Sequence, residues 1–275
     1  MDQRGSGVST AQYAKRGSTA RRDWLANALR TSNPRRSVVA LASRARPRSP
    51  LGTLFTHRFV RDEVEPLYDY DVVRRLKQAT MLIVHVSEPV LVLGSSQSDD
   101  LITSSLAPPR RRRRGGGGVV LLQPDDLWVD WWIPANDARY RSDVREASSL
   151  VGDWWRDALA AHGVDGEVHR GPALVDPALA SVCFAGRGPG EVFVDGRKAV
   201  GVTQWRVREG SFLSTVLPAS TTAHMVEWLS DSSPEMSLAL DHCVVGEWAI
   251  DPDELIETLS EMSSPVARRQ LYLLR

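Results

Sequence analysis

Two stretches of this chain carry residue types that could do chemistry. In the segment 183–210, Cys183 precedes Lys198 by fifteen residues. A thiolate can accept an acyl group as a thioester and then pass it to an amine, and a nearby ammonium raises the thiolate fraction. Lys198 follows Asp195-Gly196, a dipeptide that marks a tight hairpin, so it begins a strand. Charged residues beside a turn are ordinarily solvated, which would leave Lys198 at an exposed hairpin end. Pointing inward instead, it would hold a charge over a carboxylate, a phosphate or a thiolate. Cys183 has the same two readings, since most free thiols are buried and inert. Gly201, on the same strand as Lys198, leaves room for a ligand or a close backbone approach.

The second stretch, Arg110–Gly118, reads RRRRRGGGG and runs into an apolar strand. Successive glycines let backbone N–H groups turn toward one point, a nest suited to a phosphate or carboxylate. The arginines add forked donors for the same anion. The GK[ST] of a phosphate-binding loop is missing, and no helix follows as in a dinucleotide fingerprint. A solvated low-complexity loop and an RNA-contacting basic patch fit the same composition.

These residues need elements to position them. Residues 67–78 predict a helix, and 81–86 and 89–95 predict strands broken at Ser87-Glu88-Pro89. Residues 98–110 read as a loop. Two further strands follow at 119–123 and 127–133, where Trp128, Asp130 and Trp132 share one face. The best helix spans 143–163, with Ser142 or Asp143 as its cap, Gly163 as its end and the aromatic pair Trp154 and Trp155 in its apolar stripe. Strands at 191–196, 198–207 and 211–217 form consecutive hairpins. Thr221–Leu229 and Pro252–Met262 predict helices, the second capped by Asp251. The class is α+β, a mixed, hairpin-rich β-sheet flanked by helices.

Composition narrows the partners. Formal net charge is zero over 275 residues, so no global field draws the chain to nucleic acid or an acidic membrane. Lysine occurs only at Lys15, Lys77 and Lys198 among 34 basic residues, a bias toward arginine. No apolar run is long enough to cross a bilayer, and no secretory h-region opens the chain. Two cysteines, Cys183 and Cys243, are no disulfide framework, and a reducing, cytoplasmic setting is expected. Cys243 reads as structural. Residues 1–50 read as a poorly ordered Arg/Ser-rich extension with a short helix around Ala20–Arg30, and 51–275 as the catalytic domain.

Taken together, the two stretches resemble the biotin/lipoate A/B protein ligase family. Its pattern R-R-x-[ST]-G-G-G-A-V reads here Arg112-Arg113-Arg114-Gly115-Gly116-Gly117-Gly118-Val119. Its pattern [VL]-x-G-[KR]-K-[ILV]-x-G-x-[AS]-Q reads here from Val194 to Gln204, through Lys198 and Gly201. A G-x-x-Q segment matches Gly94 and Gln97. The resemblance spans about residues 55–230. It implies a biotin/lipoyl ligase-like catalytic domain with an acyl tunnel, the glycine loop at the acyl or phosphate end and Lys198 at the reacting carbonyl. The implied acceptor is a lysine of a lipoyl domain or of the glycine-cleavage carrier protein.

Two chemistries share that fold: ligases that use ATP/Mg and lipoate to make lipoyl-AMP, and octanoyltransferases fed by acyl carrier protein. One transferase branch uses a cysteine placed before the lysine as Cys183 is here, with a Cys-Phe string (Cys183, Phe184) and a downstream Glu191. The ligase string G-R-N-D is replaced by Gly188-Pro189-Gly190-Glu191. The expected function is therefore octanoyl or lipoyl transfer through a Cys183 thioester, with no certain cofactor and no metal ligands. Expected substrate-binding residues are Arg112, Arg113, Gly116, Gly117, Gly118, Gly94, Gln97, Gly201 and Gln204. An ATP-dependent lipoate-protein ligase and a catalytically degenerate binding module are the alternatives. Three departures stand out: Gly115 for the family's Ser/Thr, Val202-Thr203 for its small pair, and Ser214-Thr215 for its His-Gly.

Overall fold

The computed structural model describes residues 65–243, 250–263 and 268–274. The Arg/Ser-rich extension, with its expected helix, lies outside the described residues. In chain order the elements are β1 (Glu65–Pro66), α1 (Tyr70–Val73), β2 (Thr80–Val86), β3 (Val90–Leu93), β4 (Arg110–Arg112), β5 (Val120–Leu122) and β6 (Leu127–Pro134). There follow α2 (Val144–Ala161), β7 (Glu167–Val168), β8 (Val192–Val194), β9 (Arg197–Val207), β10 (Gly210–Leu217), α3 (Pro234–Cys243), α4 (Pro252–Met262) and β11 (Arg268–Leu274).

Among the described residues the strands form two mixed sheets, β1-β4-β3-β5 and β11-β2-β6-β10-β9-β8-β7. The α+β class read from the hairpin pattern is what the chain adopts. The large sheet is buried on both faces around β6, all eight of whose residues are buried. Period-two alternation sends Trp128 and Trp132 to the core shared with the small sheet, and Val129, Trp131 and Ile133 to the core under the helices. The second core rests on α2, which presents Val151, Trp154, Trp155 and Leu159 to the sheet. Asp143 caps α2 by accepting from the N–H groups of Arg145 and Glu146. Gly163, at φ 79°, follows where its end requires a left-handed residue. Asp251 caps α4 in the same manner.

One polar group interrupts this packing. Asp130 is fully buried on the small-sheet face of β6. It accepts from the Tyr68 hydroxyl, from Trp128 Nε1 at 2.7 Å and from the Thr215 N–H at 2.9 Å. Burial pushes its carboxyl up to about 7, against those hydrogen bonds.

The structure departs from the sequence expectation in four places. The helix expected over 67–78 is only four residues long. Leu67 and Tyr68 lie before the helix begins, and Tyr68 is committed to Asp130, a tertiary demand that local periodicity does not register. Thr221–Leu229 forms a 3-10 segment over Ala223–Trp228 instead of an α-helix. The arginine run is partly a strand, since β4 pairs in parallel with both β1 and β3. Finally, α3 and β11 are elements the pattern did not announce. The α3 helix buries Met236 and Leu240, and β11 pairs in parallel with β2, a long-range partnership invisible to local periodicity.

Candidate functional site

The hairpin that carries Lys198 is built by its turn. Asp195 and Gly196 take φ values of 51° and 75°, the pair of left-handed residues a two-residue hairpin needs. A bulge between Val192 and Phe193 shifts the register, so Lys198 pairs with Phe193. The lysine is 1% exposed, which settles its orientation: it points inward. Its Nζ lies 2.8 Å from Glu191 Oε2 and donates to the carbonyl of Cys183 at 3.0 Å. It also sits 5.3 Å above the Phe184 ring. Glu191 is 4% exposed and accepts from the Gly188 N–H at 2.6 Å. Burial raises its carboxyl, while the Lys198 ammonium pulls it back. A buried ion pair is a poor way to stabilise a fold, so its presence directs attention to the Cys183 turn it supports.

Cys183 opens a 3-10 turn, Cys183–Ala185, that is stitched to the residue after the glycine loop. The Val119 N–H donates to the Ser181 carbonyl at 2.7 Å, and the Cys183 N–H donates to the Val119 carbonyl at 3.0 Å. Gly118 abuts this turn so closely that an added Cβ would lie 2.7 Å from the Cys183 nitrogen. An added Cβ at Gly117, whose φ is 95°, would lie 3.8 Å from Cys183 Sγ. The free thiol thus rests against the polyglycine bend. Among the described residues, the N–H groups of Gly116, Gly117 and Gly118 donate to no protein acceptor. Amides without a protein acceptor beside a sulfur are available to a developing oxyanion.

The loop is held by the residues that the patterns singled out. Arg113, 4% exposed, donates to the carbonyls of Val92, Gly116 and Gly118 at 2.9, 2.9 and 2.6 Å. Burial pulls its guanidinium down, and Arg113 lines the same cleft as Cys183. Arg112 donates to the carbonyls of Gly94 and Gln97 at 2.9 and 2.6 Å and pairs with Asp99. Gln97 accepts from the Gly94 N–H and donates to the Ser181 carbonyl, both at 2.9 Å. Gly94 packs directly on the loop, for a Cβ there would lie 2.0 Å from the Gly117 oxygen.

Beside the thiol runs a narrow apolar cleft with about 30 Å³ of free space. Leu67, Val92, Val120, Trp128, Phe184 and Val216 line it, with Cys183, Arg113, Gly201 and Thr203 on its wall. A Cβ at Gly201 would meet the Phe184 ring at 2.9 Å, so glycine is what keeps this side of the cleft clear.

Cys183, Lys198, Arg113, Gly94, Gly116, Gly117, Gly118 and Gly201 therefore converge, and Arg112 and Gln97 brace them from behind. Gln204 does not join them. It donates to the Val144 carbonyl and to Ser148 Oγ, each at 2.7 Å, and clamps α2 to the opposite face of β9. The cleft wall also holds residues that sequence reasoning did not single out as site residues, notably Thr203. Counting alternate positions from Gly201 along β9 was the signal that could have found it.

The fold and the site define a small α+β domain with a glycine-rich bend, an inward lysine and an apolar cleft. The lipoyl protein ligase A/B catalytic domain family matches residues 68–245, and the chain belongs to that family. Among solved structures, it is similar to a putative lipoate protein ligase from T. acidophilum with bound lipoic acid. That match has 15% identity and a TM-score of 0.56 over 74% of this chain and 81% of the other. It is likewise similar to a lipoate-protein ligase A bound with ATP, with 14% identity and a TM-score of 0.56 over 76% and 82%. A third match is the bipartite lipoate protein ligase of Thermoplasma acidophilum, solved in a study of that ligase and its E2 lipoyl domain. It shows 14% identity and a TM-score of 0.56 over 74% and 80%. Identities this low establish the shared fold. Comparison with curated protein sequences finds no match. Among the described residues no helix is long and apolar enough to cross a membrane.

Proposed function

We propose that the chain is a cysteine-dependent acyltransferase that moves an octanoyl or lipoyl group onto a lysine of a lipoyl domain. The observation that carries this reading is the Cys183 sulfur near Gly117, at the wall of an apolar cleft that Arg113 also lines, with Lys198 bonded to the Cys183 carbonyl. The Cys183 thiolate attacks the carbonyl carbon of a donor thioester. The negative charge that develops on oxygen is taken by the free amides of Gly116–Gly118. The bond from carbonyl carbon to donor sulfur breaks, the donor leaves as a thiol after taking a proton, and the acyl group remains on Cys183. A neutral acceptor lysine then attacks the new thioester, loses a proton and forms the amide, and the Cys183 thiolate is released.

The acyl chain enters along the apolar cleft, whose lining side chains must move apart to admit it, and Lys198 fixes the backbone of the nucleophile turn. Acyl carrier protein suits the donor role, a lipoyl domain or the glycine-cleavage carrier the acceptor role, and the free thiol suits a reducing cytoplasm. The ligase alternative would bring ATP, Mg and lipoate to the same site, where Glu191, the carboxylate at Lys198, is committed to Lys198 and Gly188.

The test is intact mass spectrometry after mixing the protein with octanoyl-carrier protein and, separately, with ATP plus lipoate, each with and without a lipoyl domain. The expected result is one octanoyl mass on the wild type, none on Cys183→Ala, and transfer to the lipoyl domain. Lipoate-dependent pyrophosphate release that survives Cys183→Ala would replace this mechanism with ligation. Binding to the lipoyl domain without transfer from any donor would make the chain a binding module.

A further inference from the structure

Thr203 and Gly115 share one space. Thr203 lies two residues beyond Gly201 on the cleft face of β9, and its hydroxyl donates to the Gly116 carbonyl at 2.9 Å. A Cβ built on Gly115 would stand 2.5 Å from that hydroxyl oxygen, 3.2 Å from Thr203 Cγ2 and 3.1 Å from the Gln204 carbonyl oxygen. A side chain at 115 would press on the Thr203 hydroxyl, and one of the two must shift. Two departures that looked independent in the sequence, Gly for Ser/Thr at 115 and Thr for Ala/Ser at 203, meet across the same gap.

The bond that results is well placed. The Gly116 carbonyl is also held by Arg113 Nε at 3.2 Å and by its terminal nitrogen at 2.9 Å. A planar trans peptide points its C=O and the next N–H in opposite directions. Anchoring the Gly116 oxygen therefore sets the direction of the Gly117 N–H, in a residue whose added Cβ would lie 3.8 Å from the Cys183 sulfur.

We propose that Thr203 is a positioning residue: from β9 it supplies the hydroxyl that orients the Gly116–Gly117 peptide for acyl transfer, and Gly115 is glycine to make room for it. The inference rests on Cys183 being the acylated group. The experiment follows Cys183 octanoylation from octanoyl-carrier protein by time-resolved intact mass, with melting temperatures in parallel. Thr203→Val keeps the shape and removes the hydroxyl, and it should slow loading roughly tenfold at saturating donor with little change in KM, the worth of one oriented hydrogen bond. Thr203→Ser should stay within about threefold of wild type, because it keeps that bond. Gly115→Ser alone should load slowly, and Gly115→Ser with Thr203→Ala should recover, because a hydroxyl returns to the vacated space.

Loading by Thr203→Val at the wild-type rate overturns the proposal, as does a double variant no faster than Gly115→Ser. If the wild type itself never loads, the acyltransfer reading falls. The latch is then judged by glycine-selective 15N spectra. The Gly117 amide signal must move in Thr203→Val and return toward its wild-type position in the double variant, and an unmoved signal overturns the proposal.

Discussion

Replacing either partner of the Glu191–Lys198 pair should destabilise the protein with opposite dependence on pH. Both side chains are nearly inaccessible, and the ammonium has one carboxylate at 2.8 Å and one carbonyl at 3.0 Å. Glu191→Gln strands the ammonium without a counter-charge, which costs about 3–5 kcal/mol. At roughly 2–4 °C per kcal/mol for a domain of this size, Tm should fall by about 6–20 °C near neutral pH. Losing a proton relieves an ammonium buried without a counter-charge, so the variant recovers stability as pH rises.

Lys198→Met leaves Glu191 alone in a site that already raises its carboxyl. This group's folded pKa then lies further above its unfolded value than in the wild type, so the variant is least affected at low pH. Its deficit opens once the paired carboxyl of the wild type has ionised, and grows by about 1.4 kcal/mol per pH unit until the unpaired one ionises too. Urea denaturation of both variants and the wild type at pH 5, 7 and 9 measures this directly. Deficits under about 1 kcal/mol throughout, or slopes of the same sign, would show that the pair is not the buried, ionised couple described here.

Three further outcomes follow from the geometry. Asp130→Asn should gain stability relative to wild type as pH rises from about 4 to about 7. The carboxyl is raised to about 7, so its contribution is whole below its unfolded pKa and lost through the folded one, by up to about 4 kcal/mol. Thermal melts across that range check it, with the Tyr68 hydroxyl turning to accept from the new amide. Gly94→Ala places a methyl 2.0 Å from the Gly117 oxygen, and the displaced loop should lower both Tm and the rate of Cys183 octanoylation. Gly201→Val should fill the cleft beside Phe184 and shift preference from octanoyl to shorter chains, read as the ratio of hexanoyl to octanoyl loading.

Much of the fold was legible because local patterns and tertiary demands agree. The 3.6-residue stripe of α2, its Asp143 cap and the Asp195-Gly196 turn report geometry set within a few neighbouring residues. The short α1 was misjudged because Tyr68 answers to Asp130, sixty-two residues away, and not to its helical neighbours. Likewise β4 and β11 exist only through parallel partners distant in sequence. In the site, the patterns located Cys183, Lys198 and the glycines, but not their division of labour. Arg113, expected at an anion, spends its donors on loop carbonyls, and Lys198 meets the carbonyl of Cys183.

Residue type and spacing by themselves determined the family, the α+β class and the list of groups able to react, because a turn dipeptide, a helical stripe and a glycine run are properties of contiguous chain. Only the tertiary structure decided that Lys198 is buried and not solvated, that Gln204 faces α2, and that Gly115 and Thr203 compete for one space. Those outcomes depend on which segments pack together. Burial and steric exclusion act between atoms that are close in space, whatever their separation along the chain.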